Sequence, residues 1–312
     1  MVFFDSASCV TCGAVLDFSS RDAAFAEAGA GFRCANSAVI GCNWLVAEDA
    51  SLCPSCALTR TRPADADAAG LAAWAGVEAA KRQLVFQLDQ LGLPYTGSPE
   101  LVFDLLSSTT GPVTTGHADG VVTIDLAEGA DPHREGLRVS LAEPYRTVLG
   151  HLRHEVGHYY WLVLVDGRDV LAEFRALFGD ERADYADSLR VHYDKPDDHS
   201  WAANHVSRYA AAHPWEDWAE TFAHYLHIRD SLETAAAWRI TVHGPISAPV
   251  TAEPPRDGAD FDALIEAWLP LSTALNAMNR SMGKDDLYPF VLTTAVLTKL
   301  AYVHERVTAE RS

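Results

Sequence analysis

A chain of 312 residues, 48% hydrophobic and 21% charged, has room for one large globular domain and a small one. Its 24 basic and 43 acidic residues leave a net charge of −19, which repels phosphate backbones and anionic lipid and excludes nucleic acid and membrane as expected partners. No apolar run approaches the roughly 18–20 residues that span a bilayer. The opening Met1-Val2-Phe3-Phe4-Asp5-Ser6 has neither the basic nor the long apolar region of a secretory signal, so a cytoplasmic setting is expected.

All six cysteines fall between positions 9 and 56. Cys9-Val10-Thr11-Cys12-Gly13 and Cys53-Pro54-Ser55-Cys56 have the two-residue spacing that brings both sulfurs of a tight turn to one metal ion. Cys34 and Cys42 stand singly between them. In a reducing compartment such clustering points to zinc rather than disulfides, and residues 1–60 read as a zinc ribbon that the metal keeps folded. Six thiols exceed one tetrahedral site and fall short of two, so spacing leaves their grouping open. The ribbon is also a candidate docking module for a protein partner.

Residues 61–312 read as a second, catalytic domain. Arg60-Thr61-Arg62-Pro63 and the Ala/Asp-rich stretch to Gly70 resemble a linker. Leu71, Trp74, Val77, Leu84, Leu88 and Leu91 recur at helical spacing and stop at Gly92 and Pro94. Strands are expected at Leu101–Leu106, Val121–Leu126 and Leu137–Leu141. From Tyr145 the pattern is helical, with breaks near Gly167, Gly179, Lys195-Pro196 and His213-Pro214. Residues 243–258, rich in proline, read as a long loop; helices are expected at about 260–280 and 286–308.

The chemistry concentrates on two of these helices. In the one expected over about 145–165, His154-Glu155-Val156-Gly157-His158 sets two imidazoles four residues apart, on one face, where both reach a single zinc ion. Glu155 then projects beside the metal as a general base for water. A catalytic zinc keeps three protein ligands and an open position, and the helix expected over about 214–230 offers the third. There Glu216 and Glu220 share a face among Trp215, Trp218, Phe222 and Tyr225, a costly placement for carboxylates unless a metal and its partners compensate it. Glu216 is the preferred ligand, with Glu220 bonding a ligand imidazole; the reverse assignment stays open. Tyr209, seven residues before Glu216, is a candidate donor to a developing oxyanion. His151 reads as a supporting or packing residue, as do His205, His213, His224 and His227.

Gly116-His117-Ala118-Asp119-Gly120, Glu143-Pro144-Tyr145-Arg146, His154 to Tyr160 and His213 to His227 together resemble a bacterial family of zinc-binding metallopeptidases with an N-terminal zinc ribbon. The resemblance covers nearly the whole chain. It implies an α+β fold: a zincin-like, mostly helical catalytic domain behind the ribbon, with a short mixed sheet over the active-site helix. The catalytic stretch is also similar to the gluzincins, in which the ligand Glu opens a Glu-x-x-x-Asp/Glu helix, matched here by Glu216 and Glu220. A stretch of the anthrax lethal factor type carries a Tyr seven residues before its ligand Glu, the position of Tyr209 here, which implies the oxyanion role. The family often carries a further Cys-x-Cys pair that this chain lacks before Cys9. The resemblance therefore favours Cys34, Cys42, Cys53 and Cys56 as the intact structural zinc site, with Cys9 and Cys12 in a second, incomplete one; pairing the two knuckles is the alternative.

The expectation is a zinc metallopeptidase with one catalytic and at least one structural zinc, acting on a peptide or protein substrate laid along Val121–Leu126 or Leu137–Leu141 as an edge strand. Its rivals are an adaptor in which the zincin domain is a weakly active or inactive scaffold, and a zinc amidohydrolase acting on a non-peptide amide.

Overall fold

The computed structural model describes residues 4–26, 29–109, 111–129, 147–244, 250–251 and 260–310. The strand expected at Leu137–Leu141, the Glu143-Pro144-Tyr145-Arg146 motif and most of the loop expected over 243–258 lie outside them. Roughly half of the chain is helical, and it divides into two compact units: Met1–Gln90 with Pro94–Leu152, and Leu91–Leu93 with Arg153–Ser312. No helix among the described residues is long and apolar enough to cross a membrane.

The first unit opens with the cysteine-rich segment. Strands β1 (Asp17–Ser19) and β2 (Ala24–Ala26) form a hairpin, and β3 (Phe32–Arg33) pairs with β4 (Leu45–Val46), with helix α1 (Ser37–Ile40) between β3 and β4. Its apolar content is small: Phe4 and Phe18 meet Phe86 of the long helix α3 (Ala68–Leu91), and both also meet Trp44, in edge and tilted ring contacts. Helix α2 (Pro54–Ala57) begins at Cys53, whose Sγ accepts from the Cys56 N–H. On α3 the expected face is the buried one, with Trp74, Val77, Leu84, Leu88 and Leu91 almost inaccessible.

A four-stranded sheet follows in the order β5-β6-β8-β7. Strands β6 (Val102–Leu106) and β8 (Val121–Asp125) are parallel and alternate as half-buried strands do, with Phe103, Leu105, Val122 and Ile124 inward. Two expectations change here. Arg60-Thr61, read as the head of a linker, lies in strand β5 (Thr59–Thr61), parallel to β6; two β-branched threonines flank Arg60, whose guanidinium holds Asp104 on β6. The sequence around Val121 is not an edge: β8 is paired on both sides, by β6 and by the unforeseen β7 (Gly116–Ala118). Asp119 and Gly120, both at positive φ, close the β7–β8 hairpin, a two-residue turn that favours these residue types. A Cβ on Gly120 would sit 2.5 Å from the Glu100 carbonyl oxygen, so the position also needs glycine for space.

Helix α4 (Val148–Leu164) carries the second unit's residues from Arg153 onward, followed by α5 (Leu171–Phe178), α6 (Tyr185–Asp194), α7 (Pro214–Ala237), α8 (Phe261–Ser281) and α9 (Thr294–Glu310). Helix α7 is the axis of this unit. Trp218 on it packs against Phe174 and Phe178 of α5 and Tyr302 of α9, and Phe222 stacks on Tyr160 of α4. Lys299 of α9 reaches Asp217 of α7 with Nζ 2.5 Å from Oδ2, and also donates to the Asn204 carbonyl at 2.7 Å. Burial pushes the Asp217 carboxyl up, against the pull of Lys299, to about 7.

The last helix starts at Thr294, not near 286. Pro289 has no N–H to give a helix, and Asn276 of α8 takes both backbone groups of Tyr288, holding that segment extended along the helix. Residues Thr241–Val242 (β9), just before the expected proline-rich loop, and Val250–Thr251 (β10), in the middle of it, pair as antiparallel strands.

Candidate metal centres

His154 and His158 lie one turn apart on α4, and Glu216 enters from the first turn of α7. Pro214 suits the first helical position, and His213 caps the helix, its Nδ1 accepting the Trp215 N–H at 3.1 Å. Glu216 Oε2 lies 3.1 Å from His154 Nε2 and 3.4 Å from His158 Nε2, with the carboxylate 1% exposed. These three residues form one of two potential metal-ligand groups among the described residues.

The atoms around the trio fix which of its atoms face inward. His154 Nδ1 donates to Glu220 Oε1 at 2.7 Å, which sets the tautomer and leaves Nε2 as the lone-pair nitrogen. Ser207 Oγ holds the other Glu220 oxygen at 2.6 Å, and the Tyr185 hydroxyl donates to Glu216 Oε1 at 2.6 Å. Glu216 Oε2, buried and without a well-directed hydrogen bond, is what remains turned toward the two imidazoles. The Trp215 ring covers His158 at 4.1 Å between centroids.

The electrostatics fit a cation. Burial alone would depress the His154 imidazole, but the carboxylates of Glu216 and Glu220 outweigh it and hold it well above the ordinary histidine value. Burial would raise the acids, yet His158 and His154 keep Glu216 well below the carboxylate range, and His154 with Ser207 brings Glu220 to about 2. Two carboxylates thus hold positive charge on His154 in a buried pocket, a charge that a divalent ion would supply in place of the proton. Replacing Glu220 with Ala is expected to weaken zinc binding about 10- to 100-fold, as loss of a ligand's hydrogen-bond partner does, read by chelator competition. An unchanged affinity would show that Glu220 does not orient His154.

Close helix crossing brings the three side chains together. An added Cβ on Gly157 would lie 2.9 Å from the Ala219 Cα and 3.0 Å from its carbonyl oxygen, and Trp218 Nε1 donates to the Gly157 carbonyl at 2.8 Å. Gly157→Ala should therefore push α4 and α7 apart, costing about 1–3 kcal/mol by overpacking and lowering zinc affinity with it. Thermal denaturation with and without metal checks this; a variant as stable and as tightly loaded as the wild type refutes it.

Glu155 is buried next to His154, and its charge contributes to raising the Tyr185 phenol. Tyr209 lies not in a long helix but in a single 3-10 turn, Tyr209–Ala212, with its ring 5.8 Å from that of His154; burial and the Glu216 charge raise its phenol. His151 is not part of the trio; its Nδ1 lies 2.5 Å from Glu128 Oε2. His224 bonds the Tyr288 hydroxyl and His227 bonds Arg153, which also pairs with Asp230; burial lowers both imidazoles, His224 to about 4. Tyr185, Ser207 and Trp215 were not anticipated as site residues. The first two lie 31 and 13 residues from the carboxylates they bond, one on α6 and the other outside any helix or strand, and no spacing rule connects them.

The other ligand group is Cys34, Cys42, Cys53 and Cys56, all buried, with sulfurs within 4.8 Å of one another. Cys34 Sγ accepts the Cys53 N–H at 3.3 Å, as befits a thiolate. Hydrogen bonding with Cys42, Cys53 and Cys56 lowers the Cys34 thiol, while hydrogen bonding with Cys34, Cys42 and Cys56, together with burial, raises Cys53. Four sulfurs facing one another suit a tetrahedral zinc. Cys9, half-buried, and Cys12, exposed, share the turn closed by Gly13 N–H on the Cys9 carbonyl and lie outside that group.

Comparison with known proteins agrees with this division. Residues 70–306 match the family described as "Putative zinc-binding metallo-peptidase", and residues 1–67 match a zinc-ribbon domain. The chain is 50% identical over 313 residues to the uncharacterized protein Rv2568c of Mycobacterium tuberculosis and to the uncharacterized protein Mb2598c of Mycobacterium bovis, a match spanning 96% of this chain and 90% of each relative. No solved structure matches the chain significantly. With a ribbon ahead of a domain matched over most of its length, this chain belongs to the family of zinc-binding metallo-peptidases.

Proposed function

We propose that this protein hydrolyses peptide bonds, with His154, His158 and Glu216 holding a catalytic zinc and Glu155 acting as general base. The observation that carries the reading is the convergence of His154 Nε2, His158 Nε2 and Glu216 Oε2, a donor set that would hold a catalytic zinc. Zinc held by these residues would supply Lewis-acid polarisation of a carbonyl and activation of water near neutral pH. Glu155 takes the proton of that water and delivers it to the leaving amine. Tyr209 donates to the carbonyl oxygen as negative charge builds on it, and Glu220 keeps His154 in the tautomer that ligation requires. Cys34, Cys42, Cys53 and Cys56 hold a structural zinc, and the ribbon is the candidate surface for a protein partner in a cytoplasmic setting. The buried Glu155 supports an enzyme over an inactive scaffold, because an unused carboxylate beside a metal is costly to bury.

Elemental analysis tests the metal assignment directly. The wild type should carry about two zinc ions per chain, and a His154→Ala/His158→Ala double variant about one. A peptide library should be cut by the first and spared by the second. Equal zinc content in the two proteins would remove the catalytic site from consideration. Turnover of small amides but no peptides would move the substrate class.

A further inference from the structure

We propose that Tyr185 is a positioning residue for the metal-facing oxygen of Glu216: its hydroxyl occupies Oε1 and so commits Oε2 to His154 and His158. The inference rests on the zinc reading above and names a residue that reading does not include.

A carboxylate has two equivalent oxygens, and a flexible one can rotate or offer both to a cation. Here the choice is made by an outside donor. The Tyr185 hydroxyl lies 2.6 Å from Oε1, and Oε2 is the oxygen within 3.1 and 3.4 Å of the two Nε2 atoms. A phenol has one proton, and this one is spent on a carboxylate that can only accept. Burial and the Glu216 charge push the Tyr185 phenol up, so it stays a donor through the neutral range. Tyr209 differs in its partner: its ring lies 5.8 Å from that of His154, and its hydroxyl bonds the Tyr185 phenol rather than Glu216.

The placement of Tyr185 is built rather than incidental. Asp184 caps α6 by accepting the Asp187 N–H at 2.8 Å, which starts the helix at Tyr185. His213 then ties this segment to α7. Its Nε2–H donates to the Ala183 carbonyl at 3.1 Å while its Nδ1 accepts the Trp215 N–H at 3.1 Å. One imidazole thus fixes the residue two before Tyr185 and the residue just before Glu216. The Tyr185 ring packs edge-on to His213 and Trp215, yet it remains 38% exposed. Removing only its hydroxyl opens no core cavity.

The experiment compares zinc affinity by chelator competition, and the visible spectrum of the cobalt-substituted protein, in the wild type, Tyr185→Phe and Tyr209→Phe. Tyr185→Phe is expected to bind the second metal ion about 10- to 100-fold more weakly and to shift the cobalt bands, whereas Tyr209→Phe changes neither. In a Glu216→Ala background, Tyr185→Phe should weaken metal binding no further, because the carboxylate it acts through is gone. Wild-type affinity and spectrum in Tyr185→Phe would overturn this proposal alone, as would an equal further loss in the Glu216→Ala background. A wild type with no second metal ion would overturn the zinc reading, and this proposal with it.

Discussion

Glu155→Gln is expected to lower kcat for peptide hydrolysis by roughly 10²- to 10⁴-fold while the zinc content stays that of the wild type. Gln is nearly isosteric with Glu, so neither the α4 face nor the neighbouring imidazoles need move, and what disappears is the ability to accept a proton. Binding and catalysis therefore separate in this variant. Loss of zinc together with activity would mean that Glu155 supports the metal site rather than the reaction. Full activity would mean that another group is the base, and the proposed mechanism would be wrong. The pH profile gives a second reading: the acidic limb of kcat/KM belongs to the base in the free enzyme and should vanish with Glu155→Gln.

The other large effect is expected in the ribbon. Cys53→Ser should abolish the structural zinc and unfold the cysteine-rich segment. The buried apolar side chains there are few, chiefly Phe18, Ile40, Trp44 and Leu58. Structural zinc in small finger peptides contributes an apparent 10–16 kcal/mol or so, far more than such a core supplies. Cys53 is also the cap of α2 and the residue whose N–H bonds Cys34 Sγ, so one substitution disturbs ligation and backbone together. Limited proteolysis should cut within the first 60 residues or so, and zinc should fall by about one ion per chain. Retention of both zinc ions would show that the four buried sulfurs do not hold one. Cys12→Ser, at an exposed thiol outside the group, is the natural control.

Spacing on a single element made half of the candidate site legible. His154, Glu155 and His158 can be read together because a helix fixes what lies four residues away, and Glu216 and Glu220 because the same rule holds on α7. Nothing in the sequence states which oxygen of which carboxylate meets which nitrogen; that follows from the α4–α7 crossing at Gly157 and Ala219, a contact between distant parts of the chain. Tyr185 and Ser207 were illegible for the same reason. The cysteines show the limit in another form, since six thiols with sound local spacing admit more than one grouping until the chain is folded. Among the strands, Val121–Asp125 was visible through its alternation, while Thr59–Thr61 and Gly116–Ala118 are too short to show a period. The Asp119-Gly120 turn was the available clue to the second of these, and it was read only as part of a family motif.

The reach of Lys299 to Asp217 bears on when the protein becomes competent during its synthesis. Asp217 follows Glu216 directly, and its cationic partner is encoded 82 residues further on. A nascent chain that has emerged only through α7 already carries every proposed catalytic zinc ligand, yet holds a carboxyl next to Glu216 without the ammonium that accompanies it in the finished fold. Translation must pass α9 before that neighbourhood assumes its final charge, so ribosome-bound intermediates should acquire the ribbon's metal well before they acquire a settled catalytic centre.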